Sequence, residues 1–260
     1  MQTNRISRLL PWLALGSGVT SAALWALMMR FCMDDRGLLK NWNFPGILLV
    51  LVSLSIPVAV ILLTRNLGGS NRYRDNFGPS LPGCITCFAA AAGLLQMLLR
   101  NMTGQRNMLF ALWLITGFLC VPALVLMGLS RLRGKRPHFF ACLPLSIFIA
   151  LHTAIRYRVW SGDPSSANYM LPFFACLFLL LNIYQNTAFS AGAGRRLRQL
   201  MYGLWAGYFA IACTFVPGFG LFYLSFGLWA LGNLCYLTPR PRRRRPRPME
   251  ESPVPEAEQS

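Results

Sequence analysis

Few residues in this chain have types and spacing that carry chemistry. Cys84-Ile-Thr-Cys87 sets two thiols three positions apart at the start of an apolar run. A thiol at a helix N-terminus has a lowered pKa and can serve redox or metal chemistry. Without a second pair or nearby histidines, the same two cysteines also serve as small packing residues before Ala89–Ala92. Asn182, Gln185 and Asn186 stand at spacings of three and four, which puts three amides on one helix face. Asn233 falls at a similar depth in the last apolar run, while Gln96 and His152 fall near the opposite ends of theirs. These six residues define a candidate polar pocket with hydrogen-bond donors and no fixed charge. The competing role is hydrogen bonding between helices, at about 0.6 kcal/mol per bond. His152 also stands four residues before Arg156, a spacing suited to an anion or headgroup contact or to an interfacial belt with Arg158 and Trp160.

What is missing decides more. Before residue 250 the acids are Asp34, Asp35, Asp75 and Asp163, and all four fall between apolar runs. A charge inside a bilayer costs about 2.5–3.5 kcal/mol on insertion scales, so membrane proteins keep one mainly where function needs it. Proton relays and carboxylate-based intramembrane catalysis therefore lack their usual parts. The histidines are His138 and His152 alone, and the chain has neither Gly-x-Ser-x-Gly nor a phosphate-binding glycine loop. No catalytic residue, metal or cofactor is expected. An intramembrane enzyme acting on lipid would have to use Cys84, Cys87 or His152.

The elements that must position these residues are membrane spans. The 260 residues are 55% hydrophobic and 13% charged, with mean hydropathy +0.45. A soluble domain carries about 25% charged residues. Eight runs hold no Asp, Glu, Lys or Arg: 9–29, 44–63, 82–99, 108–129, 139–155, 169–189, 200–216 and 220–237. A pass takes about 20 apolar residues, with a range of about 17–25. The expected fold is an all-α polytopic membrane protein, a bundle of eight transmembrane helices with short loops over 1–238. The first run comes after Arg5 and Arg8 and is expected to remain as a signal anchor. Phe139-Phe-Ala-Cys-Leu143 recurs as Phe173-Phe-Ala-Cys-Leu177, a short echo between neighbouring runs.

The charges fix an orientation. The net charge is +17, but the arginines sit in loops between apolar runs, where they set topology and do not form a nucleic-acid surface. One side carries eighteen Lys and Arg and the other seven, which puts both termini in the cytoplasm, with the plasma membrane as the expected location. Residues 239–260 switch from basic to acidic and are rich in proline, the composition of a disordered tail. Arg240, Arg242, Arg243, Arg244, Arg245 and Arg247 form a candidate lipid-binding segment, at about 1 kcal/mol per basic residue near an anionic leaflet.

Small residues recur at packing intervals: Ala14, Gly18 and Ala22 in the first run, Gly203 and Gly207 in the seventh. They let backbones approach, within the bundle, in a homo-oligomer or against a partner membrane subunit. Two functions fit these features. One is a small transporter or permease-like component without an intramembrane carboxylate. The other is a non-catalytic scaffold, sensor or assembly partner acting through its cytoplasmic tail and through membrane lipids with anionic headgroups.

Overall fold

The computed structural model describes residues 2–32, 44–65, 67, 73–102, 107–160 and 169–235. The tail and its six arginines lie outside the described residues. The described residues form helices and connections, with no strand. In order they are α1 (Gln2–Phe31), α2 (Phe44–Thr64), the single turn α3 (Tyr73–Asn76), α4 (Leu81–Asn101), α5 (Met108–Leu132), α6 (Phe139–Trp160), α7 (Met170–Ala191), α8 (Arg196–Ala212) and α9 (Gly220–Leu234). The eight long helices answer the eight apolar runs one for one. Six of them, α1, α2 and α4–α7, are long and apolar enough to cross a membrane, the pattern of a multi-pass membrane protein. The last two are shorter, at 17 and 15 residues.

The helices do not stop where the apolar runs stop. α1 takes in Arg5 and Arg8, α5 takes in Arg131, and α8 starts at Arg196 instead of residue 200. Arginine is a good helix former, so a helix continues into a flanking basic segment until a stronger signal ends it. The opposite, C-terminal end of α8 stops short of Pro217, which disfavours helix at Val216. The chain leaves the helix at Cys213, and tight turns carry it to Gly218, whose φ of +76° is a left-handed value that glycine tolerates. α4 has a defined start: Ser80 accepts a hydrogen bond from the Gly83 amide at 2.9 Å, with Pro82 in the first turn. α7 ends on Gly192, at φ +86°.

The hairpin α8–α9 is the centre. Helices α4, α5, α6, α7, α8 and α9 close a ring in chain order, because α9 packs back on α4. α1 covers the other side of α8, and α2 packs on α1 and α8 at the periphery. The sequence explains this layering. The polar groups of the α9 side chains are those of Ser225, Asn233, the Tyr223 hydroxyl and the Trp229 indole N–H, and eleven of its fifteen residues are buried. α2 buries three of 21 and turns Val50, Leu54, Val58 and Leu62 outward. Such a surface is stable only against lipid or another apolar face.

The small-residue stripes find their partners within this chain. A Cβ at Gly203 or Gly207 would collide with Leu234 or Leu231 of α9, and one at Gly18 would press on Ile211 and the Tyr208 carbonyl of α8. Ala14 and Ala22 are buried on the same side of α1. Ser21 and Ser53 each share a hydrogen bond with the Tyr208 hydroxyl, at 2.8 and 3.2 Å, tying α1 and α2 to the hairpin. Trp229, Tyr208, Tyr223, Phe148, Phe222 and Phe226 are among the largest fully buried side chains.

Candidate functional site

The polar side chains gather at the two ends of this core. At one end, α3 and Phe77 fold across the termini of α5, α7 and α8. Tyr73 and Phe77 are four apart, so their rings fall on one face and stack at 4.8 Å. Phe77 meets Phe189 of α7 edge-on at 5.3 Å, and Arg196 of α8 donates to Asn76 at 2.9 Å. The Ser80 amide donates to the Arg131 carbonyl at 3.1 Å, which pins the start of α4 to the end of α5.

Arg131 lies under this cover, only 3% exposed. Its guanidinium donates to the Tyr73 hydroxyl at 3.1 Å and to Asn186 Oδ1 at 3.4 Å. It stands 4.2 Å from the centre of the Phe77 ring. These partners are all neutral. A buried cation needs such compensation, because an uncompensated one costs several kcal/mol. Hydrogen bonds from a charged donor contribute about 1.5–3 kcal/mol each, and a desolvated cation–π contact about 2 kcal/mol. Burial pushes the Tyr73 phenol above its ordinary value, with the Arg131 charge opposing. The phenol therefore stays protonated, accepting from Arg131 while donating to the Lys135 carbonyl at 3.4 Å.

Beneath this cover the three α7 amides face inward. Asn186 accepts from Arg131 and donates to the Asn182 carbonyl at 3.0 Å. Asn182 Oδ1 accepts from Gln199 of α8 at 2.8 Å. Gln185 Oε1 accepts from the Arg195 amide at 3.4 Å, beside the first turn of α8. The trio thus bridges α7 to α5 and α8. Arg131, Arg196, Gln199, Tyr73 and Asn76 complete the layer, and none of them stands out as a candidate in the sequence. The aromatic pair at 73 and 77 is the one available signal, since it stands alone in a polar connection.

Asn233 is buried on α9, next to Gly232, where an added Cβ would strike Thr86 of α4. No hydrogen bond joins Asn233 to the α7 amides. Gln96 and His152 lie at the other end, so the six polar residues form no single pocket. His152 is caged by Trp113, Phe148, Phe219, Phe222 and Tyr223, at ring separations of 5.2–6.4 Å. Gln96 lines a cleft with Arg100 and the α8–α9 turn. Cys84 and Cys87 are buried as free thiols facing Gly128 of α5. Among the described residues no group of three His, Cys, Asp or Glu is placed to hold a metal ion. The chain matches no protein-family model, no curated protein and no solved structure.

Proposed function

We propose that this chain is a non-catalytic membrane scaffold, sensor or assembly partner that works from its α3 end. One observation carries the reading. Polar groups of α7 and α8 hydrogen-bond to one another and to Arg131 at that end, and large aromatic side chains are buried in the core. A carrier needs a polar path between the two ends. On the loop charges, the α3 end, both termini and the arginine tail face the cytoplasm, at the plasma membrane. There the tail meets anionic headgroups.

The test is thermal stability of the purified protein in nanodiscs. Phosphatidylglycerol is compared with phosphatidylcholine, in the full chain and in a chain ending at residue 239, alongside a panel of metabolites and ions. The expected result is stabilisation by the anionic lipid that falls when the tail is removed, with no response to the soluble panel. A solute at about 100 times its Kd would add about 2.7 kcal/mol and would be visible. A solute whose effect vanishes in Asn186→Leu would replace the scaffold by a carrier. Pro57, Pro122 and Pro144 inside α2, α5 and α6 favour that second reading, since helix prolines suit moving bundles.

A further inference from the structure

The end of the bundle opposite α3 is built differently. The central hairpin is short, with 17 and 15 residues in α8 and α9 against 21 in α4 and 22 in α6. Its turn faces the last turns of α4 across a cleft of about 190 Å³ lined by Gly93, Gln96, Arg100, Gly218, Gly220 and Leu221 among others. At about 30 Å³ per water this is room for some six waters, or for one phosphate group with part of its shell. Gln96 and Arg100 are four residues apart on one face of α4. Neither side chain has a hydrogen bond or ion pair with any described residue. At the turn a Cβ built at Gly218 would meet nothing within 4 Å, whereas Gly93 packs against Ser225 and Gly220 against the Thr214 carbonyl. Among the described residues no carboxylate lines the cleft. A second cation flanks the same turn, Arg156, whose guanidinium stands 4.1 Å from the Phe219 ring centre.

We infer that this cleft binds the phosphate of a membrane lipid headgroup. Arg100 supplies a planar fork that matches two phosphate oxygens, and the Gln96 amide adds a donor four residues deeper. The lip favours a lipid over a free anion. Leu221 lines the cleft and is exposed, and Leu99 and Phe215, each next in sequence to a lining residue (Arg100 and Val216), are exposed as well. A free phosphate has no use for an apolar lip, whereas a phospholipid places its acyl chains against one. The inference rests on the membrane setting of the bundle but not on the tail, so the outcome of the tail experiment leaves it untouched.

The experiment is native mass spectrometry of the full-length protein in detergent, titrated with phosphatidylglycerol, with thermal stability measured in parallel. Arg100→Gln removes the fork. Gln96→Glu puts a carboxylate four residues before Arg100, the orientation that pairs on a helix, and so occupies the guanidinium from within. Arg133→Gln, an exposed arginine at the opposite end, is the control. Loss of a charge-assisted hydrogen bond is expected to raise the apparent Kd of one bound lipid about tenfold or more in both variants and leave the control unchanged. Lipid retention like that of the unmodified chain in Arg100→Gln overturns the proposal. If Gln96→Glu lowers stability without lipid, Arg100→Gln decides alone, because its side chain is exposed. Inorganic phosphate separates the two sources: stabilisation by millimolar phosphate that is lost in Arg100→Gln, with lipid binding unaffected, overturns the lipid assignment in favour of a free anion.

Discussion

The two ends of the bundle each hold an arginine, and they treat it in opposite ways. Arg131 is sealed beneath α3, with Tyr73, Asn186 and Phe77 supplying acceptors and a ring face. Arg100 stands at the mouth of an open cleft, with no acceptor among the described residues. The cause lies in the lengths of the helices and in the connections between them. At the α3 end the connection between α2 and α4 folds back as a plug. At the other end the hairpin is too short to reach the rim, and a glycine-rich turn fills little of the space. A cation whose acceptors come from its own chain is a structural clamp. One whose acceptors are absent is available to a ligand.

This contrast can be broken most easily at Arg131. Arg131→Ala removes two hydrogen bonds from a charged donor and a ring contact, and it relieves the desolvation of the charge. The expected net loss is about 3 kcal/mol. Arg100→Ala, at an exposed site, should change stability by less than about 0.5 kcal/mol. Denaturant unfolding in detergent, read by tryptophan fluorescence, measures both. Equal losses would erase the distinction between the two ends.

The Asn182–Gln199 pair gives the next effect. Asn182→Leu strands a buried Gln199 amide and should cost about 1–3 kcal/mol. The double variant Asn182→Leu with Gln199→Leu should cost less than the two single losses combined, because neither amide is then left without its partner. Strict additivity would mean that the pair does not interact.

Tyr73→Phe should cost about 1.5–3 kcal/mol, because it removes the acceptor of one charged hydrogen bond from Arg131 and the link to the Lys135 carbonyl. The folded-state pKa of this phenol is raised, so its contribution is fully present below the ordinary tyrosine value of about 10 and is lost as pH rises through the higher folded value. The stability difference between the unmodified chain and Tyr73→Phe should therefore shrink only above about pH 10. A difference that shrinks near neutrality would contradict a protonated, buried phenol. The smallest perturbation is chemical: maleimide on the folded protein should modify Cys235, the exposed thiol, and spare Cys84 and Cys87.

The bundle was legible because lipid-facing helices must be apolar over their whole length. Eight uncharged runs, the first six each followed by an arginine-bearing connection and the seventh by the Pro217-Gly218-Phe219 turn, therefore gave eight helices. The helix ends were less legible. Arginine extends a helix as readily as it ends an apolar run, which is why α8 begins four residues early, at Arg196. The α7 face of Asn182, Gln185 and Asn186 is readable from spacing alone. Its partners are not, because Arg131 lies 55 residues from Asn186 in the chain and counts in the sequence only as a loop charge. Gln96 and His152 share polarity with the α7 amides, but spacing within a helix says nothing about which end of the bundle a residue reaches.

The claim that one end is sealed and the other open is tested most directly by thiol accessibility. In a Cys235→Ser background in nanodiscs, Ser190→Cys places a thiol in the sealed layer, and Gln96→Cys places one in the cleft. A water-soluble maleimide should modify position 96 about a hundredfold faster than position 190, the ratio given by a local-opening cost of about 2.7 kcal/mol. Equal rates would contradict the account and make the two ends alike.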